Sequence, residues 1–127
     1  MTITLNHTIV PARDKVASAE WFARIFGLQY AGTQGHFAPV QVNDTLTLDF
    51  DNAERFERHH YAFHVGDEEF DAIFGRITER GLEHWADPGH RQAGSINHND
   101  GGRGVYWSDP DGHNLEIITR PYGSGAA

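Results

Sequence analysis

The feature that most constrains this chain is an internal repeat. Leu5 to Val10 reads as a strand and leads into a helical stretch from about Asp14 to Phe26, closed by Gly27-Leu28. His60 to Val65 does the same, leading into a stretch from about Asp67 to Arg80, closed by Gly81-Leu82. His7 to Gly27 spans 20 residues and His60 to Gly81 spans 21, at an offset of 53 to 54. Self-similarity of this kind points to a duplicated supersecondary unit.

The helices stand independently of the repeat. Phe70, Ile73, Phe74 and Ile77 follow the i, i+3, i+4, i+7 spacing of an apolar helix face, with Asp67 placed to cap and Gly81 to terminate. Phe22, Ile25 and Phe26 do likewise in the first half. Within Gln41 to Phe50 the residues Leu46, Leu48 and Phe50 alternate with Thr45, Thr47 and Asp49, the period of a half-buried strand. Gly104 to Trp107 and Asn114 to Thr119 read as two more strands, joined by the Asp109-Pro110-Asp111-Gly112 turn. Each half therefore reads β-α-β-β-β, as modules at about 3–52 and 58–121 of a single domain over 1–121. Ala86 to Gly102 is a long polar loop in the second half only, and Tyr122 to Ala127 reads as a flexible tail.

Composition narrows the chemistry. Ten Lys and Arg against eighteen Asp and Glu leave a net charge of −8 with no basic block, which excludes the electrostatic footprint of nucleic-acid binding. No apolar run is long enough to span a bilayer, and no charged-then-apolar leader opens the chain, so the expectation is a soluble cytoplasmic protein without a membrane partner. The absence of cysteine removes disulfides, thiolate metal sites and a cysteine nucleophile together. Nine histidines remain as the chemically capable population.

Strand alternation puts His60, Ala62 and His64 on one face, and in the last strand puts Glu116 and Ile118 opposite Leu115 and Ile117. Taken singly, Glu116 fits a solvated sheet face and His7 a hydrogen-bonded strand histidine. Their joint placement says more, because His7 and His60 are equivalent in the two repeats and a duplicated fold brings equivalent strands together. Two imidazoles and one carboxylate can hold one face of a divalent metal and leave the others open, as in non-haem Fe(II) oxygenases.

The double pattern, with His60-Tyr61-Ala62-Phe63-His64-Val65 before a helix and Tyr106 to Glu116 near the end, resembles the vicinal oxygen chelate superfamily over roughly residues 4 to 120. That superfamily includes glyoxalase I, fosfomycin-resistance transferases, bleomycin-binding proteins and type I extradiol dioxygenases. The resemblance implies an α+β fold of two βαβββ modules forming a glyoxalase-like open barrel. Ile96-Asn97-His98, six residues, Val105-Tyr106, two residues, Asp109-Pro110, then Gly112 and Glu116, is similar to the extradiol ring-cleavage signature. By that resemblance His7, His60 and Glu116 are the metal ligands, with His59 on the opposite face. Tyr106 is the phenol that contacts substrate, and His98 an imidazole able to relay a proton. Family members of this type also carry a histidine near the position of Thr45 to Asp49. This chain has none there, and His64 or His36 is the candidate to stand in.

The implied cofactor is a divalent metal, Fe(II) before Mn, Ni or Zn, and the implied activity is a dioxygenase-like oxidation of a small catechol-like substrate. A glyoxalase-like lyase is the second reading, in which Asp49 is a fourth ligand and Ni or Zn replaces Fe. In either, Arg103 contacts an anionic substrate or is simply solvated. The third reading is a drug-binding resistance protein, for which the negative charge and Trp21, Trp85 and Trp107 are useful, although such relatives generally dispense with the ligands that this chain retains. The exposed sheet edges expected of such a small open fold point to a homodimer.

Overall fold

Asp14 ends the first strand and starts the first helix. Its backbone is extended and its side chain accepts from the Ala17 N–H at 3.1 Å, which is the work of an N-cap. Helix α1 (Lys15–Phe26) ends at Gly27, whose φ of 73° only glycine adopts cheaply, and the Leu28 N–H returns to the Ala23 carbonyl at 2.8 Å. The computed structural model describes residues 2–125, which divide between Glu57 and Arg58 into two compact units.

In the first unit β1 (His7–Ala12), β2 (Ala38–Gln41) and β3 (Thr47–Asn52) form a sheet in the order β1-β3-β2, with β1 parallel to β3. Val10, Ala12, Ala38, Val40, Leu48 and Phe50 are buried from the sheet, and Phe22 and Ile25 from α1. Two sequence expectations change here. The single strand expected from Gln41 to Phe50 is broken, because the Asn43 side chain accepts from the Thr45 and Leu46 N–H groups, both at 2.9 Å, and folds the chain into a turn. Only two strands follow α1. The third is reduced to one bridge between Gln34 and Phe37, around Gly35 at φ 59°. The unit is β-α-β-β.

The second unit keeps the full β-α-β-β-β order: β4 (His60–His64), α2 (Asp67–Glu79), β5 (His84–Trp85), β6 (Gly104–Ser108) and β7 (Asn114–Ile118). The sheet runs β4-β7-β6-β5, with β4 and β7 parallel. Phe70, Ile73 and Ile77 of α2 are buried, as are Val105, Trp107, Leu115 and Ile117 of the sheet. Asp67 does not cap α2, as expected, but lies in its first turn. Gly66 is the cap, and the Glu69 carboxylate accepts the Gly66 N–H at 2.9 Å. Asp67 is thereby released for an ion pair described below.

Part of the segment expected to be a flexible tail is held. Gly123 and Gly125 donate their N–H groups to the Asp100 carboxylate at 3.1 and 3.0 Å, while residues 126–127 lie outside the described residues. Among the described residues no helix is long and apolar enough to cross a membrane.

The turn between β6 and β7 is organised by one buried carboxylate. Asp109 Oδ1 accepts from the Asp111 and His113 N–H groups at 2.9 and 2.8 Å, and Gly112 takes φ 86°. Burial pushes the Asp109 carboxyl above its ordinary range. Asp109→Ala strips two buried N–H groups of their acceptor and is expected to cost about 1–3 kcal/mol. Asp109→Asn keeps an acceptor oxygen without the buried charge and costs less. Urea midpoints of the two variants check the order.

Candidate active site in the second unit

The register of three strands assembles this site. In the parallel pair, His60 is opposite Asn114 and Ala62 is opposite Glu116; in the antiparallel pair, Tyr106 is opposite Glu116. Paired residues share a face, so His60, Tyr106 and Glu116 stand together on the side of the sheet away from Leu115 and Ile117. Ala62, the small residue beside Glu116, leaves room there.

His60 Nδ1 lies 2.9 Å from the Asn114 carbonyl, which can only accept, so Nδ1 carries the hydrogen. A neutral ring then presents a bare Nε2, and this atom stands 3.1 Å from Glu116 Oε1. Two lone pairs at that distance repel unless a proton or a cation lies between them. The Glu116 side chain is only 12% exposed, which sharpens the demand, since a buried carboxylate must be matched. Tyr106 meets part of it. Burial and the hydrogen bond from its hydroxyl to Glu116 push the phenol well above its ordinary value, so it remains a neutral donor. Among the described residues no third histidine, aspartate or glutamate joins His60 and Glu116 in a metal-holding group.

The three side chains open on a cavity of about 710 Å³ whose wall also includes Asn97, Arg103, Ile118 and Arg120. Beside it, Trp85 pairs with Tyr106 across β5 and β6 and stacks on His90 at 3.8 Å, the rings within 2° of parallel. His90 Nε2 reaches the Asn114 side-chain oxygen at 2.9 Å. The backbone of His90 is left-handed, at φ 58°, in a turn built by Asp87, whose carboxylate accepts from the Arg91 and Gln92 N–H groups. These backbone bonds hold the Asp87 carboxyl below the usual range. The long polar loop is thus ordered where it meets the site.

Other expected site residues are placed elsewhere. His98 is exposed, with Nδ1 on the Gly102 carbonyl at 3.2 Å, and His64 Nε2 lies 3.1 Å from the Thr119 carbonyl; neither lines the cavity. His59 does turn from His60: its Nδ1 is 2.6 Å from the Tyr61 hydroxyl and its ring packs by His113. In the first unit, His7 opens β1, exposed, with Nδ1 2.7 Å from Asn6 Oδ1. His36 there is 3.3 Å from Asp51 Oδ1. Asp49 is half-buried and, by its pairing with Ile9, shares a face of that sheet with His7. Arg103 is half-buried and already engaged. It donates to Asp71 at 2.6 Å and Asp67 at 3.0 Å, with its guanidinium 4.4 Å from the Phe70 ring centre.

Asn114 and His90 were not singled out from the sequence. Alternation offered a signal for Asn114, two residues before Glu116; nothing local marked His90.

Comparison with known proteins fits this geometry. The family model described as the Glyoxalase/Bleomycin resistance protein/Dioxygenase superfamily matches residues 4–117, and the chain belongs to that superfamily. Among solved structures, the chain is 56% identical to Oxidase ChaP-H2, with a TM-score of 0.94 over 99% of this chain and 100% of that one. It is 62% identical to Oxidase ChaP-H1, with a TM-score of 0.91 over 96% and 99% of the two chains. A curated relative, glutathione transferase FosA of Serratia marcescens, is 26% identical over 124 residues, covering 92% of this chain and 81% of the relative.

Tyr61, on the opposite face of β4 from His60, gives the unit a measurable pH response. Burial, with Asp109 nearby, pushes its phenol up to about 12. The unfolded chain loses this proton first, near pH 10, so the folded state binds more protons and stability falls as pH rises beyond about 10. Tyr61→Phe removes that contribution, and urea midpoints from roughly pH 9 to 11 should decline less steeply in the variant.

Proposed function

We propose that this protein is a metal-dependent oxidoreductase that carries out oxygen chemistry on a small vicinal-oxygen substrate of catechol type. The observation that carries this reading is the His60–Glu116 pair, a tautomerically fixed imidazole whose free nitrogen faces a buried carboxylate oxygen at 3.1 Å. A ring N–H spent on a backbone carbonyl is the usual support of a metal-ligating histidine, and the mixed N,O donor set suits Fe(II), Mn, Ni or Zn. The residues therefore fit a divalent ion, which also resolves the apposed lone pairs. His60 and Glu116 would hold it; His7, which the resemblance names as a further ligand, belongs to the first unit. The name oxidase, carried by relatives 56% and 62% identical, favours oxidation over isomerisation or sequestration.

An Fe(II) ion held by His60 and Glu116 would supply the oxygen chemistry, as a redox-active Lewis acid able to bring a catechol-type substrate and dioxygen together. The protein's own groups do the rest. The Asn114 carbonyl fixes the His60 ring, and the Tyr106 hydroxyl gives its one hydrogen to Glu116 and so orients that carboxylate, leaving its oxygen to accept from a substrate hydroxyl. Ile118 and the Trp85–His90 stack keep the surroundings apolar or ordered.

The test is to measure bound metal, load the protein with Fe(II) without oxygen, and follow oxygen uptake with a panel of catechols. His7→Ala, His60→Ala and Glu116→Ala are each expected to weaken metal binding about 100-fold or more and to abolish uptake, whereas Tyr106→Phe retains metal and loses about 10- to 100-fold in rate. Isomerisation of a hemithioacetal without oxygen uptake would establish the lyase instead. Tight binding of an aromatic ligand with neither metal nor turnover would establish a sequestering protein.

A further inference from the structure

The cavity that contains His60, Tyr106 and Glu116 has two arginines in its wall, and they are in opposite states. Arg103 is neutralised by Asp67 and Asp71. Arg120 is not: among the described residues no hydrogen bond or ion pair engages its guanidinium. The cavity's carboxylates do not answer it either. Asp100 accepts from the Gly123 and Gly125 N–H groups, and Glu116 is engaged by Tyr106 and faces His60. Arg120 is exposed, so water satisfies its guanidinium when the cavity is empty, and the head remains available to an anion that enters.

While its head is unpaired, its base is fixed. Thr119, just before it, is tied to Arg103 by two bonds of 2.9 Å, one from the Thr119 N–H to the Arg103 carbonyl and one from the Arg103 N–H to Thr119 Oγ1. Gly102 packs so closely on the stem that a Cβ there would stand 2.5 Å from Arg120 Cγ and 3.1 Å from its Cβ. The packed stem fixes where the side chain starts, and the exposed head can still turn toward an anion in the cavity, at the cost of ordering it on binding. Its placement sets which end of a ligand it meets. Ile118 lies two residues beyond Glu116 on the same cavity wall, an advance of about 7 Å along a strand, and Arg120 lies beyond it.

We propose that Arg120 selects substrates bearing a carboxylate at the end remote from the vicinal oxygens, and so determines the specificity of this site. This rests on the reading of the His60–Glu116 end as the place where those oxygens bind. The guanidinium donates to the carboxylate in a charge-assisted pair, and the neighbouring Arg103, already occupied, does not compete.

The experiment measures binding apart from turnover. Isothermal titration of the whole protein loaded with redox-inert Zn(II), using 3-(3,4-dihydroxyphenyl)propanoate and its primary amide, compares ligands that differ only in the charged group. The acid is expected to bind about tenfold more tightly than the amide, with the ratio shrinking as salt is raised. Arg120→Gln brings the ratio near one, and Arg120→Lys, which restores the charge, recovers part of it. Thermal melts of both variants confirm that they are folded. Failure of the acid to bind, equal binding of acid and amide, or a preference that survives in Arg120→Gln overturns the proposal. A ratio that behaves as expected in a protein that, loaded with Fe(II), consumes no oxygen with any catechol supports Arg120 and counts against the oxidative chemistry.

Discussion

The main-chain pairing of β7 with β4 on one side and β6 on the other is the constraint on which the second unit depends. It sets Ala62 and Tyr106 on either side of Glu116 and gives His60 its carbonyl at Asn114. A slip of one residue would exchange the two faces of β7, drawing Leu115 and Ile117 into the cavity and driving Glu116 into the helix-side core. Both apolar residues are essentially unexposed, so their burial locks the register that the polar face uses. The Asp109-Pro110-Asp111-Gly112 turn serves the same end from outside the sheet, because the Asp109 carboxylate fixes where β7 begins.

Charge in this unit is arranged in two tiers. Most charged groups satisfy one another: Arg103 with Asp67 and Asp71, Asp87 with the backbone of its own turn, Asp100 with the chain that follows β7. Two places in the cavity stand apart: the His60–Glu116 pair, which needs a proton or a cation between its facing atoms, and the exposed Arg120, whose head has no protein partner among the described residues. Glu116 is the buried member of this set, and buried carboxylates are ordinarily matched, so its facing an exposed imidazole marks a place where a proton or a cation can be held.

The helices were legible in the sequence because their signals are local: Asp14 caps, Gly27 terminates, and the apolar spacing of Phe70, Ile73 and Ile77 gives the buried face. His60 and Glu116 were legible for a similar reason, since strand alternation fixes a face without knowledge of the fold. Asn43 shows the limit, because its side chain takes over two backbone N–H groups within a stretch whose period of two reads as a continuous strand. Asp67 shows another. It has the right chemistry for a cap, but Gly66 with Glu69 fills that role and an arginine 36 residues away claims Asp67. The spacing of His98 and His64 matched expectations of chemistry, yet loop geometry and the strand end direct their rings to backbone carbonyls. Spacing identifies a residue; it does not say which side of a loop the residue faces.

Parallel pairing of β4 and β7 carries a consequence for how this unit comes into being. Neighbouring parallel strands cannot be closed by a tight turn, and His60 and Glu116 are separated by 56 residues, so loop-closure entropy opposes their meeting until the intervening chain is largely in place. The β6–β7 hairpin can form locally, but it holds only Tyr106 and Glu116. The imidazole arrives when β4 docks, and it leaves if β4 detaches. A partly assembled chain therefore has no weakened version of this centre, which makes its appearance during refolding a clock for the slowest, most non-local step of the unit.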